Sequence, residues 1–491
     1  MGNNFRQLNS SQVMKPTKTL SGASGWALPL VMLAGAFAGA PAFGQPRPRL
    51  EAQVFITAEA THDLLRVGGF SAFEPLEQPD EDYPTVMIDA HKTFQTIEGF
   101  GGAFTDAAAM TFAKLPPAAQ ERFLKACFDP VEGNAYTLCR TTIHSCDYAD
   151  EMYTYDDVAG DRDLKAFTIA HDRRYRIPLI QRAQAAAKGN LKIFASPWSP
   201  PAWMKTNQDM LHGGKLLPEY RQTWAEYFVK YLQAYGAAGI PVWGITVQNE
   251  AMATQVWESC IFSAAEERDF VRDYLGPALH RAGLQDVKLM IWDHNRGIMY
   301  QRAQVAYEDP KAAQYIWGMA FHWYIGDHFE NVEVVHDAFP EKSLIFTEGG
   351  MNGSWSAARR LAKNMIMDLN RWTNGWVFWN LLLDEGGGPR HAGGAAGANI
   401  VTADLRTGEL VFNPPYYVFG QFSRFVRPGA RRIACTSNSD SLIATAFLNP
   451  DGRIAVLVAN LKDTEQPMRL WMEGRFVKYT LPPGALITAV F

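Results

Sequence analysis

From about residue 96 onward, short apolar runs alternate with stretches whose apolar residues recur at helical spacing. The runs are IEGFGGAF (97–104), YTLCRTTI (136–143), LKIFAS (191–196), VWGITVQ (242–248), VKLMIW (287–292), WGMAFHW (317–323), KSLIFT (342–347) and GWVFWNLLL (375–383). Such short, dense apolar runs read as buried strands. Between them, YRQTWAEYFVKYLQAYG (220–236) sets Trp224, Phe228, Tyr231 and Leu232 on one helical face, and EERDFVRDYLGPALHRAG (266–283) does the same with Phe270, Tyr274 and Leu275. Eight strands joined by helices predict an α/β chain folded as a (β/α)8 TIM barrel. A doubly wound open sheet shares this alternation, but its first strand would lead into a Gly-rich phosphate loop, and GFGGAF lacks that spacing.

The flanks follow a different pattern. AQVFITA, PTVMIDA, LIATAFL, RIAVLVAN and ALITAVF are short strand-like runs broken by Asn-Pro-Asp-Gly and Pro-Pro-Gly turns. They predict an accessory β-sandwich built from both chain termini, residues 45–95 and 431–491, beside a barrel of residues 96–430. GGPRHAGGAAGAN (387–399) is expected to be a loop over the barrel mouth, and the chain has no internal repeat or low-complexity linker.

Residues 1–44 read as a signal peptide: Lys15 and Lys18 precede the apolar run WALPLVMLAGAFAGA (26–40), which passes into small residues up to Gly44. The basic region is long, and a start at Met14 would shorten it; a membrane anchor is the competing reading. The expectation is a secreted or periplasmic protein with no stable membrane insertion once the signal is removed.

Of 491 residues, 47% are hydrophobic, enough for a large core. The 46 basic and 51 acidic residues leave a formal charge of −5, which gives no electrostatic reason to expect a nucleic-acid partner. The five cysteines are too scattered for a disulfide scaffold, and none forms a C-x-x-C pair of the kind a thiolate zinc site needs.

The chemistry is expected where the strands end, because in such barrels the working residues sit at the C-terminal ends of the strands. VWGITVQNE is apolar until it delivers Gln248, Asn249 and Glu250; Glu250 ends the fourth run and Glu348 the seventh. Arg140 lies in the second run, Trp198 follows the third, His322 and Tyr324 end the sixth, and Trp379 and Asn380 end the eighth. Two carboxylates projecting across the mouth could flank a small substrate; the bland reading is two glutamates in surface salt bridges.

The stretches IEGFGGAFTDAAA, SPWSPPAWMKTN, WGITVQNE, FHWY, LIFTEGG and GWVFWN, in this order, resemble glycoside hydrolase family 30, a group of glucosylceramidases, β-glucanases and xylanases. The resemblance covers essentially the whole chain after residue 44. It implies a barrel with a sandwich from both termini, and hydrolysis of β-glycosides with retention, without metal or organic cofactor. By resemblance Glu250 is the general acid/base and Glu348 the nucleophile. Such a pair needs carboxyls ~5–5.5 Å apart, and the ionised nucleophile is expected to keep Glu250 protonated at rest.

Other roles follow from the resemblance, each beside a structural alternative. Asn249 would hydrogen-bond the sugar 2-hydroxyl, or cap a loop. Arg140 would hold Glu348 ionised, and Tyr324 would hydrogen-bond it. Asp147 would bind sugar, or cap a turn. His322 would line the same wall, or sit in the core. Trp198 and Trp379 would offer apolar faces to the sugar, or be core, and Asn380 is counted with them. Asp106 reads as a helix cap. Asp293, His294 and Asn295 form a polar cluster without metal-ligand spacing, at most a subsite wall. One departure is Ala251, where the family usually has proline, which is expected to loosen the aim of Glu250.

The expected function is therefore a retaining β-glucosidase of glucosylceramidase type, with a β-glucoside (glucan oligosaccharide or glucosylceramide) as its partner. The alternatives are an endo-β-1,6-glucanase, a xylan-cleaving hydrolase, or a catalytically silent carbohydrate-binding protein.

Overall fold

A computed structural model of the protein describes residues 50–392 and 399–491. The expected signal, 1–44, and residues 393–398 of the expected mouth loop lie outside the described residues. All eight apolar runs are strands: β1 (Gly99–Phe104), β2 (Leu138–Ile143), β3 (Lys192–Pro197), β4 (Val242–Thr246), β5 (Lys288–Asn295), β6 (Gly318–His322), β7 (Ser343–Glu348) and β8 (Thr373–Asp384). They pair in chain order, all parallel, and β8 closes the ring on β1. Leu138, Phe194, Met290, Ala320, Ile345 and Val377, one from each of six strands, meet in a buried cluster. That burial is why the runs are uninterrupted rather than alternating. The glycines of GFGGAF serve close packing: a Cβ on Gly101 would stand 2.2 Å from the Leu138 carbonyl oxygen.

The helix expected at 220–236 forms as Arg221–Ala237. The one expected at 266–283 is a composite of Ala264–Phe270, a wider π turn Val271–Leu275, and Gly276–Arg281. Pro277 has no N–H to give the ladder, and the Gly276 N–H reaches back five residues to the Val271 carbonyl.

Segments from both sides of the barrel build the second sheet. Glu51–Ala58 pairs with Leu486–Val490, and Thr85–Thr96 pairs with Arg431–Ser437. Leu442–Leu448, Ile454–Asn460, Gln466–Met472 and Arg475–Leu481 complete it with Asp63–Ala72 and the two residues Glu74–Pro75. Val54, Ile56, Ile88, Val456, Val458, Leu470 and Ile487 give this domain an apolar core of its own.

Candidate active site

Glu348 is the last residue of β7. Its Oε2 accepts from Arg140 Nη1 at 2.5 Å and its Oε1 from the Tyr324 hydroxyl at 2.8 Å. Both oxygens thus receive donors, an arrangement suited to a carboxylate. Arg140 projects from β2 with no exposed surface. Its Nη2 also donates to Asn249 at 2.8 Å and to Asp293 at 2.7 Å, and its Nε to Ser196 at 3.1 Å. Gly349 lets the chain turn tightly here, because a Cβ would lie 2.8 Å from the Phe346 ring.

Glu250 lies past the end of β4, where the chain is pinned to both neighbouring strands. Asn249 N–H donates to the Pro197 carbonyl and Glu250 N–H to the Asp293 carbonyl, each at 2.8 Å. Glu250 takes the left-handed conformation, φ +49°, which costs a non-glycine residue about 1–2 kcal/mol. These bonds, with Ala253 N–H to the Glu250 carbonyl at 2.8 Å, set the aim of the side chain. Ala251, which follows Glu250 where the family usually has proline, is fully buried and its carbonyl accepts from Phe262 N–H at 2.8 Å.

Asp293, set aside in the sequence, is the hub of the site. Fully buried, it accepts from Arg140, Ser196, Thr246 and Thr347, while its Oδ1 lies 3.0 Å from His322 Nε2. His322 Nδ1 faces Glu250 Oε1 at 3.3 Å. One unbroken chain of contacts, Glu348–Arg140–Asp293–His322–Glu250, therefore joins the two glutamates.

Both His322 nitrogens face carboxylate oxygens, and a neutral imidazole can donate from only one. The contact with Glu250 must therefore contain a proton, either on His322 or on Glu250. Burial opposes charge on His322, but Glu348, Asp293 and Glu250 raise its imidazole to about 9. Burial lowers the adjacent His294 to about 4. Burial would raise Glu250, yet the hydrogen bond and charge of His322, then His294, bring its carboxyl below the ordinary value. Burial also lifts Glu348 above the ordinary value, against His322 and Arg140, and the charge at Glu250 adds to that rise. Asp293 goes the other way: burial is outweighed by Arg140 and His322, which hold it far below the carboxylate range. The directions of these shifts favour the proton on His322, one hydrogen bond from Glu250, where the sequence reading expected it on Glu250; the cause is the Asp293 anion behind the histidine.

Glu250 and Glu348 line one cavity of about 780 Å³ together with Asp147, Trp198, Asn249, Tyr324 and Trp379. Trp198 and Trp379 stack at 5.3 Å and 27°, and Arg140 sits beneath both rings. Asp147 is buried, and first burial, then the charges of Glu348, Glu258 and Glu250, push its carboxyl well above the ordinary range. Three of the candidate residues do not line the cavity. Arg140 and His322 stand behind the glutamates, and Asn380 holds the Thr105 hydroxyl at 2.7 Å; all three are 0% exposed. Thr105, not Asp106, caps the first barrel helix; Asp106 is its first residue and accepts from the Tyr153 hydroxyl.

The cavity also takes in Tyr148, Met252, Gln255, Trp257, Ile325 and Met351, which the sequence did not single out. They lie on loops without periodicity; their only signal is proximity to a strand end. Glu250, His294 and His322 bring ligand-type atoms within 4.8 Å of one another, the span of a metal site. Both nitrogens of His322 already serve Glu250 and Asp293, and His294 Nδ1 faces Asn295 Nδ2 at 3.2 Å. The trio is described by its proton-holding contacts.

A parallel eight-stranded barrel with two glutamates, one past the end of β4 and one ending β7, that line one aromatic-walled cavity defines a glycoside hydrolase of the barrel class. Family comparison places it further. The "Glycosyl hydrolase family 30 TIM-barrel domain" matches residues 97–426 and the "Glycosyl hydrolase family 30 beta sandwich domain" residues 429–489. The chain belongs to glycosyl hydrolase family 30. It is 34% identical to the lysosomal acid glucosylceramidase of Mus musculus over 422 residues, 81% of each chain. It is similar in structure to SrfJ from Salmonella typhimurium (TM-score 0.85, 33% identity, 90% of this chain and 99% of that one). It is similar also to the endo-β1,6-glucanase BT3312 (TM-score 0.80, 29% identity, 90% and 99%).

Proposed function

We propose that the protein is a retaining β-glycosidase acting on β-glucosides with an apolar aglycone, glucosylceramide among them. The observation that carries this reading is the contact chain through Asp293 that ties both glutamates to one proton and one guanidinium. Glu348, addressed by Arg140 and Tyr324, attacks the anomeric carbon. Glu250 takes the proton from His322 across their contact and delivers it to the leaving oxygen, which leaves Glu250 ionised and His322 neutral. Forming the glycosyl ester removes the charge on Glu348, and Glu250 then accepts a proton from the incoming water. Asn249, held by Arg140, is placed for the 2-hydroxyl. Asp147, Trp198 and Trp379 take the rest of the ring.

The apolar aglycone is argued from the rim. Met252 and Ile325 line the cavity while 51% and 64% exposed. Side chains of that kind at an open mouth favour an alkyl or lipid group over a second hydrated sugar. The second reading, an endo-β-1,6-glucanase, is supported by the room in a cavity of about 780 Å³ and by Trp257 on its wall. Xylan cleavage has no such support.

Release of the aryl group from an aryl β-glucoside tests the class. A folded protein that binds glucan without any release would favour the carbohydrate-binding alternative. Product analysis on glucosylceramide, β-1,6-glucan and xylan separates the substrates. We infer export from the basic and apolar pattern of residues 1–44. No helix among the described residues is long and apolar enough to cross a membrane. Amino-terminal sequencing of protein recovered outside the cytoplasm tests export; an intact Met1 there would contradict cleavage.

A further inference from the structure

Asp147 lines the sugar cavity, yet among the described residues no hydrogen bond holds its carboxyl. What fixes it is the backbone on either side. Two residues before it, Ser145 Oγ donates to Glu258 Oε1 at 2.5 Å. Two residues after it, the Ala149 carbonyl faces His391 Nδ1 at 3.2 Å. The two anchors meet, because His391 Nε2 lies 3.2 Å from Glu258 Oε2. Ser145, Glu258, His391 and Ala149 thus close a ring around Asp147.

The ring draws on three loops at the barrel mouth: Ser145–Ala149 after β2, Glu258 after β4, and His391 after β8. The Glu258 side chain has no exposed surface and that of His391 is 16% exposed, so the pair is largely shielded from solvent. A carbonyl only accepts, so His391 Nδ1 carries a hydrogen. Its Nε2 stands within ion-pair distance of Glu258 Oε2 but forms no hydrogen bond with it, so the pair acts through the attraction of an imidazolium and a buried carboxylate.

We propose that Glu258 and His391 act as a positioning pair that aims Asp147 at the sugar. The inference rests on the glycosidase reading, in which Asp147 touches substrate. Neither member of the pair lines the cavity, so neither is a catalytic residue. Loss of the pair should weaken sugar capture and leave the chemistry at Glu250 and Glu348 largely intact.

The test compares His391→Ala, His391→Gln and Glu258→Gln on an aryl β-glucoside. His391→Ala is expected to raise KM roughly tenfold, as for loss of one hydrogen bond from a charged group, with kcat changed about threefold at most. His391→Gln, which keeps a donor for the Ala149 carbonyl but no charge for Glu258, should recover only part of that loss. Glu258→Gln should raise KM in the wild-type background and add little to His391→Ala. Wild-type KM in His391→Ala, a loss confined to kcat, or additive effects of the two sites would overturn the pairing. Amide hydrogen exchange over 145–149 reads the pair even if the wild-type chain turns over no glycoside. Faster exchange there in His391→Ala, at unchanged melting temperature, is expected; unchanged exchange would overturn the inference, whereas absent wild-type turnover would count against the glycosidase reading alone.

Discussion

His322 Nε2 lies 3.0 Å from Asp293 Oδ1, and this contact sets where the proton of the site rests. A histidine backed by a buried anion keeps its charge, and Glu250 on the other side draws on it.

Replacing that anion should move the pH profile. With His322 raised to about 9, the proton is present at neutral pH and is lost as pH rises through about 9. The alkaline limb of kcat/KM should fall there, and Asp293→Asn should shift it to lower pH. The same substitution leaves Arg140 with one carboxylate fewer in a buried site, at a cost of ~3–5 kcal/mol. Thermal unfolding measures the second effect. An alkaline limb that stays in place in Asp293→Asn would assign it to another group.

The stability linkage has the same sign. A histidine whose folded pKa is raised from 6.5 to about 9 stabilises fully below the ordinary value and loses that contribution as pH rises through about 9. Asp293, whose folded value is lowered, stabilises above the ordinary carboxylate range and loses its contribution in acid. Melting temperature against pH should therefore decline between about 7 and 9, and His322→Gln should flatten that decline.

The two glutamates should separate by rescue. Glu348→Gln is expected to abolish turnover, since an amide cannot form the glycosyl ester. Glu250→Gln should lose about 10²–10⁴-fold on substrates with poor leaving groups. Azide should partly restore it on activated substrates, with a glycosyl azide as product. Wild-type rates for both variants would end the assignment.

Trp379 shares its stack with Trp198 over Arg140. Trp379→Ala removes a ring worth ~0.5–1.5 kcal/mol beyond its buried area, so KM should rise by at least 2- to 12-fold. A fall in kcat with KM unchanged would place the ring in the transition state alone.

Ile325 separates the two substrate readings. Ile325→Asp should weaken an amphiphilic β-glucoside several-fold in kcat/KM while leaving a short aryl β-glucoside near wild type. Equal effects on both would remove the argument for an apolar aglycone.

The barrel was legible because strands covered on both faces cannot hide their composition, and all eight runs stand out against the helical stretches. Glu250 and Glu348 were legible for a related reason: a carboxylate ending an apolar run needs a purpose. Asp293 obeyed the same rule at the end of VKLMIW and was passed over. The register with β6 explains why, since Ala320 pairs with Trp292 and Phe321 with His294, skipping Asp293. That bulge, with φ +47° at Asp293, turns the side chain into the barrel, and no period in the sequence encodes it. Glu258 and His391 were illegible for a different reason. They lie on irregular loops far apart in the chain, and only folding brings them to either side of Asp147. Arg140 was found as a polar group within a run, and His322 and Asn380 as strand-end polar groups, but strand position does not tell a cavity wall from the layer behind it.

Leu486–Val490 lies between Glu51–Ala58 and Ile454–Asn460, pairing with both. The consequence is one of timing during synthesis. While the ribosome is still adding barrel strands, Glu51–Ala58 has only Asp63–Ala72 beside it and presents a bare edge. The companion domain can close only after every barrel strand has emerged, so a nascent chain arrested midway carries an unfinished sheet at its leading end.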